Sequence, residues 1–220
     1  MVKSRVVETD HGIQGEFVVQ DYDEMMRYLR DKGWMETDRI INWGLDHGLA
    51  MEVGPGPGYL GLEWLKKTSG TYLKGAEISP DMINIATKNA KEYGVEDRVE
   101  YVLCDAHEIP FPENTFDAVF TNGSLHEWSR PEIIFNEINR ILKPSGKYFI
   151  SDLRRDMNPF VKMFLWLMVK PKEERSGLIT SINASYIPDE IRSILNQTNL
   201  KNALVTKNFI GFEITGRTGS

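Results

Sequence analysis

The chain has 220 residues, 41% of them hydrophobic and 26% charged, with a formal net charge of −6. That composition suits one domain with modest extensions and excludes a disordered chain. The acidic balance argues against a protein that grips nucleic acid through its phosphates, so no nucleic-acid partner is expected, although Arg154 and Arg155 form a local basic spot.

Cys104 is the one cysteine, which rules out an intrachain disulfide and a cysteine-rich zinc site. His11, His47 and His107 show no ligand spacing, so no metal is expected. Met1 to Arg5 runs into polar residues instead of an apolar signal core. The most apolar stretch, Phe160 to Val169, is about half of what spans a bilayer and is interrupted by Lys162. A cytoplasmic protein without a membrane span is expected.

Residues 1–20 read as irregular, with a short strand at Phe17–Val19. Asp21-Tyr22-Asp23 marks a helix start, with Met25, Met26 and Leu29 on one face and Gly33 as its stop. A second helix is predicted over Glu36–Asp46, ended by Gly48. From residue 49 strands and helices alternate. Strands are predicted at Leu49–Val53, Thr71–Glu77, Val99–Leu103, Phe116–Thr121 and Lys147–Asp152. Helices are predicted at Tyr59–Lys67, Pro80–Tyr93 and Pro131–Leu142, and Lys143–Gly146 reads as a turn. This alternation implies βαβ units and a parallel sheet. Residues 157–187 read as an apolar helix followed by a polar loop. A helix is then predicted over Pro188–Gln197, and the runs Ala203–Thr206 and Phe209–Thr215 form a closing hairpin around Asn208.

Met51-Glu52-Val53-Gly54-Pro55-Gly56-Pro57-Gly58 follows a predicted strand and opens a predicted helix. Glycines there let the backbone turn sharply and approach a ligand closely. Gly56, Gly58 and Gly61 also match the dinucleotide spacing G-x-G-x-x-G. The turn starts at Gly54, however, which favours the frame G-x-G-x-G and a cofactor without a pyrophosphate. Glu52 points the same way, because a carboxylate beside the loop disfavours an anion and tolerates a cationic sulfonium. Glu77, 19 residues after Gly58 and at the end of a strand, has the chemistry to accept two ribose hydroxyls. Asp105, after the third strand, can accept an adenine amino group.

With these pieces in order, residues 49–152 resemble a class I S-adenosylmethionine-dependent methyltransferase of the broad small-molecule type. The resemblance rests on the glycine loop Glu52 to Gly58, Glu77-Ile78-Ser79-Pro80-Asp81-Met82, and Asp105-Ala106. It also rests on Phe116-Asp117-Ala118-Val119, Asn122-Gly123-Ser124-Leu125-His126-Glu127, and Leu142-Lys143-Pro144-Ser145-Gly146. Pro55 and Pro57 depart mildly from the pattern.

The resemblance implies a Rossmann-like, doubly wound α/β sheet of seven strands, mostly parallel with an antiparallel last strand. It implies S-adenosyl-L-methionine as cofactor and S-adenosyl-L-homocysteine as product. Gly54, Gly56 and Gly58 would face the methionine part, and Glu77 would hold the ribose. Ile78 and Met82 would flank the adenine, Asp105 and Ala106 would contact the base, and Asn122 would sit beneath the sulfonium. The expected layout is one domain over 1–220. It comprises an N-terminal helical cap (1–48), a cofactor-binding core (49–152), a helical insert or lid (153–187) and a C-terminal helix and hairpin (188–220).

Methyl transfer from a sulfonium needs alignment more than an acid or base. His126 is a candidate general base, and Tyr22 and His126 are candidate substrate contacts. Two regions are expected to choose the acceptor: the N-terminal segment with Phe17, Tyr22 and Tyr28, and the insert Met157–Val169 with Phe160, Phe164, Trp166 and Met168. A small-molecule acceptor is the first expectation and a protein acceptor stays open, as does the oligomeric state. The rival readings are an NAD-dependent oxidoreductase and a non-catalytic cofactor-binding scaffold.

Overall fold

A computed structural model describes residues 4–7 and 12–219; His11 lies outside them, as does the side chain of Phe17. The backbone enters helix α1 (Glu16–Asp31) without a strand, so Phe17–Val19 is helical and the helix begins five residues before Asp21. The reason is not local. Gly15 has no side chain to cap the helix, and its N–H is accepted by Asp81 Oδ2 at 3.0 Å from a distant element. Helix α2 is shorter than predicted, Thr37–Asn42.

The core then alternates β1 (Leu49–Val53), α3 (Tyr59–Lys67), β2 (Tyr72–Glu77), α4 (Pro80–Tyr93), β3 (Val99–Leu103), β4 (Phe116–Asn122), α5 (Pro131–Ile141) and β5 (Leu142–Leu153). Helix α4 shows why these bounds were legible. Ser79 Oγ accepts from the Met82 N–H at 3.2 Å, Pro80 opens the first turn, and Gly94 closes it in the left-handed region at φ 65°.

The seven strands lie in the order β3-β2-β1-β4-β5-β7-β6, with β6 at Leu204–Lys207 and β7 at Gly211–Arg217. Strand β7 runs antiparallel to both β5 and β6, and the other pairings are parallel. The chain order reverses between β1 and β4. In a doubly wound sheet that is where ligands bind, beyond the carboxyl ends of the strands. Two apolar layers sandwich the sheet. One joins Phe116, Ile134, Phe135, Ile138 and Ile191; the other joins Ile40, Leu62, Trp64, Leu65 and Phe120.

Three expectations need correction. Lys143–Gly146 is not a separate turn. Strand β5 already pairs at Phe116↔Leu142, bulges with Ser145 at φ 64°, and resumes at Ala118↔Lys147. The expected polar loop after α6 (Pro159–Met168) contains helix α7 (Arg175–Ala184), followed by α8 (Pro188–Leu195). Arg154 and Arg155 make no basic spot. Arg154 pairs with Asp156 at 3.0 Å, and Arg155, 5% exposed, pairs with Glu190 at 2.6 Å.

Candidate cofactor and acceptor cleft

At the β1/β4 switch a cleft opens with a volume of about 1190 Å³, including space continuous with solvent. Its floor is the loop after β1. Gly54 and Gly56 both have positive φ, 65° and 53°, where side chains are disfavoured. A Cβ on Gly54 would press on Ser124 at 2.8 Å, and one on Gly56 would fill the gap toward the Tyr22 ring, 3.5 Å away. The loop is therefore shaped to leave room above it. Gly58 is different. It does not line the cleft, and its Cβ would meet the Tyr101 hydroxyl at 2.5 Å. Gly61, the third glycine of the dinucleotide frame, sits inside α3, where a Cβ would run into Glu52 and Leu73. Its glycine answers to packing and not to a ligand.

Glu77 ends β2 and is 6% exposed. Its Oε2 accepts from the Gly56 N–H at 3.0 Å and its Oε1 from the Ser79 N–H at 2.9 Å, so two backbone amides aim the carboxylate into the cleft mouth. Burial raises its pKa against these hydrogen bonds. Glu52 is buried at 2%, and its Oε2 has no hydrogen-bond partner. Burial first, and then the charge of Glu77, push its pKa up to about 8.

Ile78, Met82, Cys104, Asp105 and Ala106 line the next part of the cleft. Asp105 is exposed. Its Oδ1 accepts from the His107 N–H at 2.8 Å and faces His107 Nδ1 at 2.6 Å. Burial opposes ionisation of Asp105, but the His107 contacts outweigh it and hold the carboxyl below its ordinary value. Cys104 lies just past β3, and burial pushes its thiol up to about 11, so it stays protonated.

The far wall holds Asn122, Ser124 and Glu127. Asn122 ends β4 and donates its amide to Ser151 Oγ at 2.8 Å. The roof comes from outside the core: Gly12, Ile13, Tyr22, Met26 and Met35. Residues 12–15 strap across the end of β2, with Ser79 Oγ donating to the Ile13 carbonyl at 2.7 Å. Burial, then the charges of Glu127, Glu174, Glu77 and Asp152, hold the Tyr22 hydroxyl well above its ordinary pKa, so it remains a hydrogen-bond donor.

Of the residues singled out in the sequence, Tyr22, Glu52, Gly54, Gly56, Glu77, Ile78, Asp105, Ala106 and Asn122 line one cleft, and Gly58 and His126 do not. His126 is 5% exposed, in the 3₁₀ turn Leu125–Glu127. Asp152 accepts from its backbone N–H at 2.7 Å and lies 3.0 Å from its Nδ1. Tyr28 packs edge-on against Trp34, and no residue of Met157–Val169 lines the cleft. Among the described residues no group of three His, Cys, Asp or Glu could hold a metal ion.

The stretch that builds this cleft, residues 51–150, matches the family model of a methyltransferase domain. The fold as a whole matches a SAM-dependent methyltransferase of Aquifex aeolicus with a TM-score of 0.70 at 20% identity, over 94% of this chain and 100% of that one. Residues 51–150 are thus similar to a methyltransferase domain, on a fold shared with S-adenosylmethionine-dependent methyltransferases. A candidate methyltransferase from Methanococcus maripaludis superposes on the chain with a TM-score of 0.76 at 23% identity, covering 99% and 98% of the two chains.

Among curated relatives, the ubiquinone/menaquinone biosynthesis C-methyltransferase UbiE of Blochmanniella pennsylvanica is 27% identical over 176 residues, 77% of this chain and 68% of that protein. The methyltransferase GfsG of Streptomyces halstedii is 30% identical over 103 residues, 47% of this chain and 37% of its own. UbiE of a Shewanella strain is matched over 58% of its length. The chain thus spans well under two thirds of several of the curated relatives it matches.

The cleft suits the family's cofactor on its own geometry. With no Cβ at Gly54 or Gly56, the loop would leave space for the methionine portion near Glu52 and Glu77. Each oxygen of the Glu77 carboxylate accepts one backbone amide, and its remaining acceptor capacity would suit a ribose diol. Apolar Ile78 and Met82 line the same cleft and would give a flat base its walls.

Proposed function

We propose that the chain, acting as one domain over 1–220, transfers the methyl group of S-adenosylmethionine to a small organic acceptor. The observation that carries this reading is the continuity of one cleft from Glu77 and the Gly54–Gly56 loop to Tyr22, Met26 and Glu127. Cofactor and acceptor would meet there under a single roof. When bound, the cofactor supplies a methyl carbon activated by its sulfonium.

In this reading Gly54 and Gly56 cradle the methionine portion, with Glu52 buried beneath the loop. Glu77 holds the ribose, Ile78 and Met82 sandwich the adenine, and Asp105 and Ala106 meet its edge. Asn122 stands beneath the reacting end. Tyr22 donates to the acceptor, and Met26 and Met35 give the acceptor space an apolar lining that excludes water. His126 acts by position. Its pairing with Asp152 fixes the turn that presents Glu127 to the cleft.

The roofed cleft and the relatives named for ubiquinone/menaquinone biosynthesis support a small acceptor over a protein. The lone thiol supports the cytoplasm as its setting. Calorimetry with S-adenosylhomocysteine and with NADH tests the cofactor, and turnover of methyl-labelled cofactor across phenols, quinols and amines tests the transfer. Tight binding of the homocysteine product and labelled small-molecule product are expected. NADH binding in its place, or label appearing only on proteins, would overturn the reading.

A further inference from the structure

Helix α6 wears its apolar face outward. None of its ten residues is fully buried. Phe160, Met163, Phe164 and Leu167, spaced i, i+3, i+4, i+7, are 76%, 55%, 56% and 53% exposed. A surface helix ordinarily turns such a stripe to the core, and a contiguous apolar patch of this kind marks a binding surface.

The tip of the β6–β7 hairpin lies beside the chain leading into α6, where Arg154 N–H bonds the Ile210 carbonyl at 3.2 Å. It adds Phe209, 87% exposed. The helix and the four residues after it carry only positive charge. Lys162, Lys170 and Lys172 lie on or after α6, and no acidic residue occurs between Asp156 and Glu173, in a chain of net charge −6. Lys207 flanks the hairpin tip. Arg175 stacks over the Trp166 ring at 4.3 Å, beside the stripe.

We infer that this face docks on the surface of an anionic lipid bilayer. Phe160, Phe164, Leu167 and Phe209 would enter the headgroup boundary, and the lysines would meet the lipid phosphates. Charge decides among occupants. An isologous contact between two copies would bring the same lysines together, whereas an anionic bilayer offers the opposite sign over the whole patch. The register supports the geometry. Leu153 pairs with Gly211 at the same edge of the sheet where Asn122 pairs with Ser151, so the patch and the cleft mouth share the carboxyl edge. The inference does not depend on which acceptor is methylated.

Co-sedimentation of the full chain with phosphatidylglycerol–phosphatidylcholine vesicles, and with phosphatidylcholine alone, tests it. Binding to the anionic vesicles only is expected, weakening as salt is raised. Phe160→Ser with Phe164→Ser should abolish it. Lys170→Glu with Lys172→Glu should weaken it by about tenfold or more. Both variants should keep the affinity for S-adenosylhomocysteine, which shows that they fold. No binding to anionic vesicles overturns the inference, as does equal binding to both lipids. Self-association of the wild type that the phenylalanine pair removes would assign the face to a second copy, or an acidic protein competing with the vesicles would assign it to that partner; either overturns it.

Discussion

Glu52 is the residue at which electrostatics and fold most directly collide. Its carboxyl is buried beneath the glycine loop with one oxygen unpartnered, and its pKa rises to about 8. In the unfolded chain the same group ionises near its ordinary value of 4.5. Between those values the folded state binds the extra proton. Stability therefore falls as pH rises from about 4.5 to 8 and levels off above. The full span is on the order of 5 kcal/mol.

Glu52→Gln keeps the shape and removes the proton. Melting temperature followed from pH 5 to pH 9 should fall less steeply in that variant than in the wild type, and identical slopes would show that Glu52 ionises normally in the fold. Glu77 differs because backbone amides already hold its charge. Glu77→Ala should lower affinity for S-adenosylhomocysteine by about a hundredfold or more, the scale of losing two charge-assisted hydrogen bonds, with the circular dichroism unchanged. Gly61→Ala tests packing instead. Its Cβ would press on Glu52 and Leu73, and a loss of about 1–3 kcal/mol is expected in urea unfolding. An unchanged midpoint would mean that α3 has room to spare.

At the scale of elements, what was legible and what was not divides by where the determining contacts come from. Strands β1, β2 and β3 carry their own signals, apolar runs ended by Gly54, Glu77 and Asp105, and helix α4 carries both of its caps. The site residues at those strand ends were readable for the same reason. The start of α1 depends on Asp81, and the roof residues Gly12, Ile13 and Met35 reach the cleft only through tertiary packing, which no local pattern announces. Half of helix α7 is Ser, Gly, Thr or Asn, weak helix formers, and it is held by what it touches. Arg5 Nε bonds the Ala184 carbonyl at 2.6 Å, and Arg5 Nη2 bonds that of His126 at 2.8 Å.

The turn bearing His126 and Glu127 is anchored from the other side by Asp152, which accepts from the backbone N–H groups of both His126 and Leu153. Asp152→Ala leaves the buried His126 N–H and the half-buried Leu153 N–H without this acceptor. A loss of about 2–4 kcal/mol in denaturant unfolding is expected, together with weaker cofactor binding because Glu127 and Trp128 line the cleft. Full stability in that variant would show the turn to be held by its other contacts.

For the molecule as a whole, the cleft couples parts that are far apart in sequence. Residues 12–15 lie over Ile78 and Glu77, α1 carries Tyr22 to the loop, and the core supplies the floor. A ligand in the cleft therefore touches the N-terminal segment and the sheet at once, and it should stabilise them as one unit. Ligand at one hundred times its dissociation constant adds about 2.7 kcal/mol. In a chain of 220 residues that is a rise of about 5–10 °C in melting temperature. Removing residues 1–15 takes away the strap, the Ser79–Ile13 hydrogen bond and the Arg5 bonds to Ala184 and His126, but leaves the sheet and both apolar layers. The truncated chain should keep a single cooperative melt, yet its rise with the same concentration of S-adenosylhomocysteine should shrink by half or more, since affinity is lost with the roof. An equal rise in both chains would mean that the strap covers the cleft without contributing to what is bound beneath it.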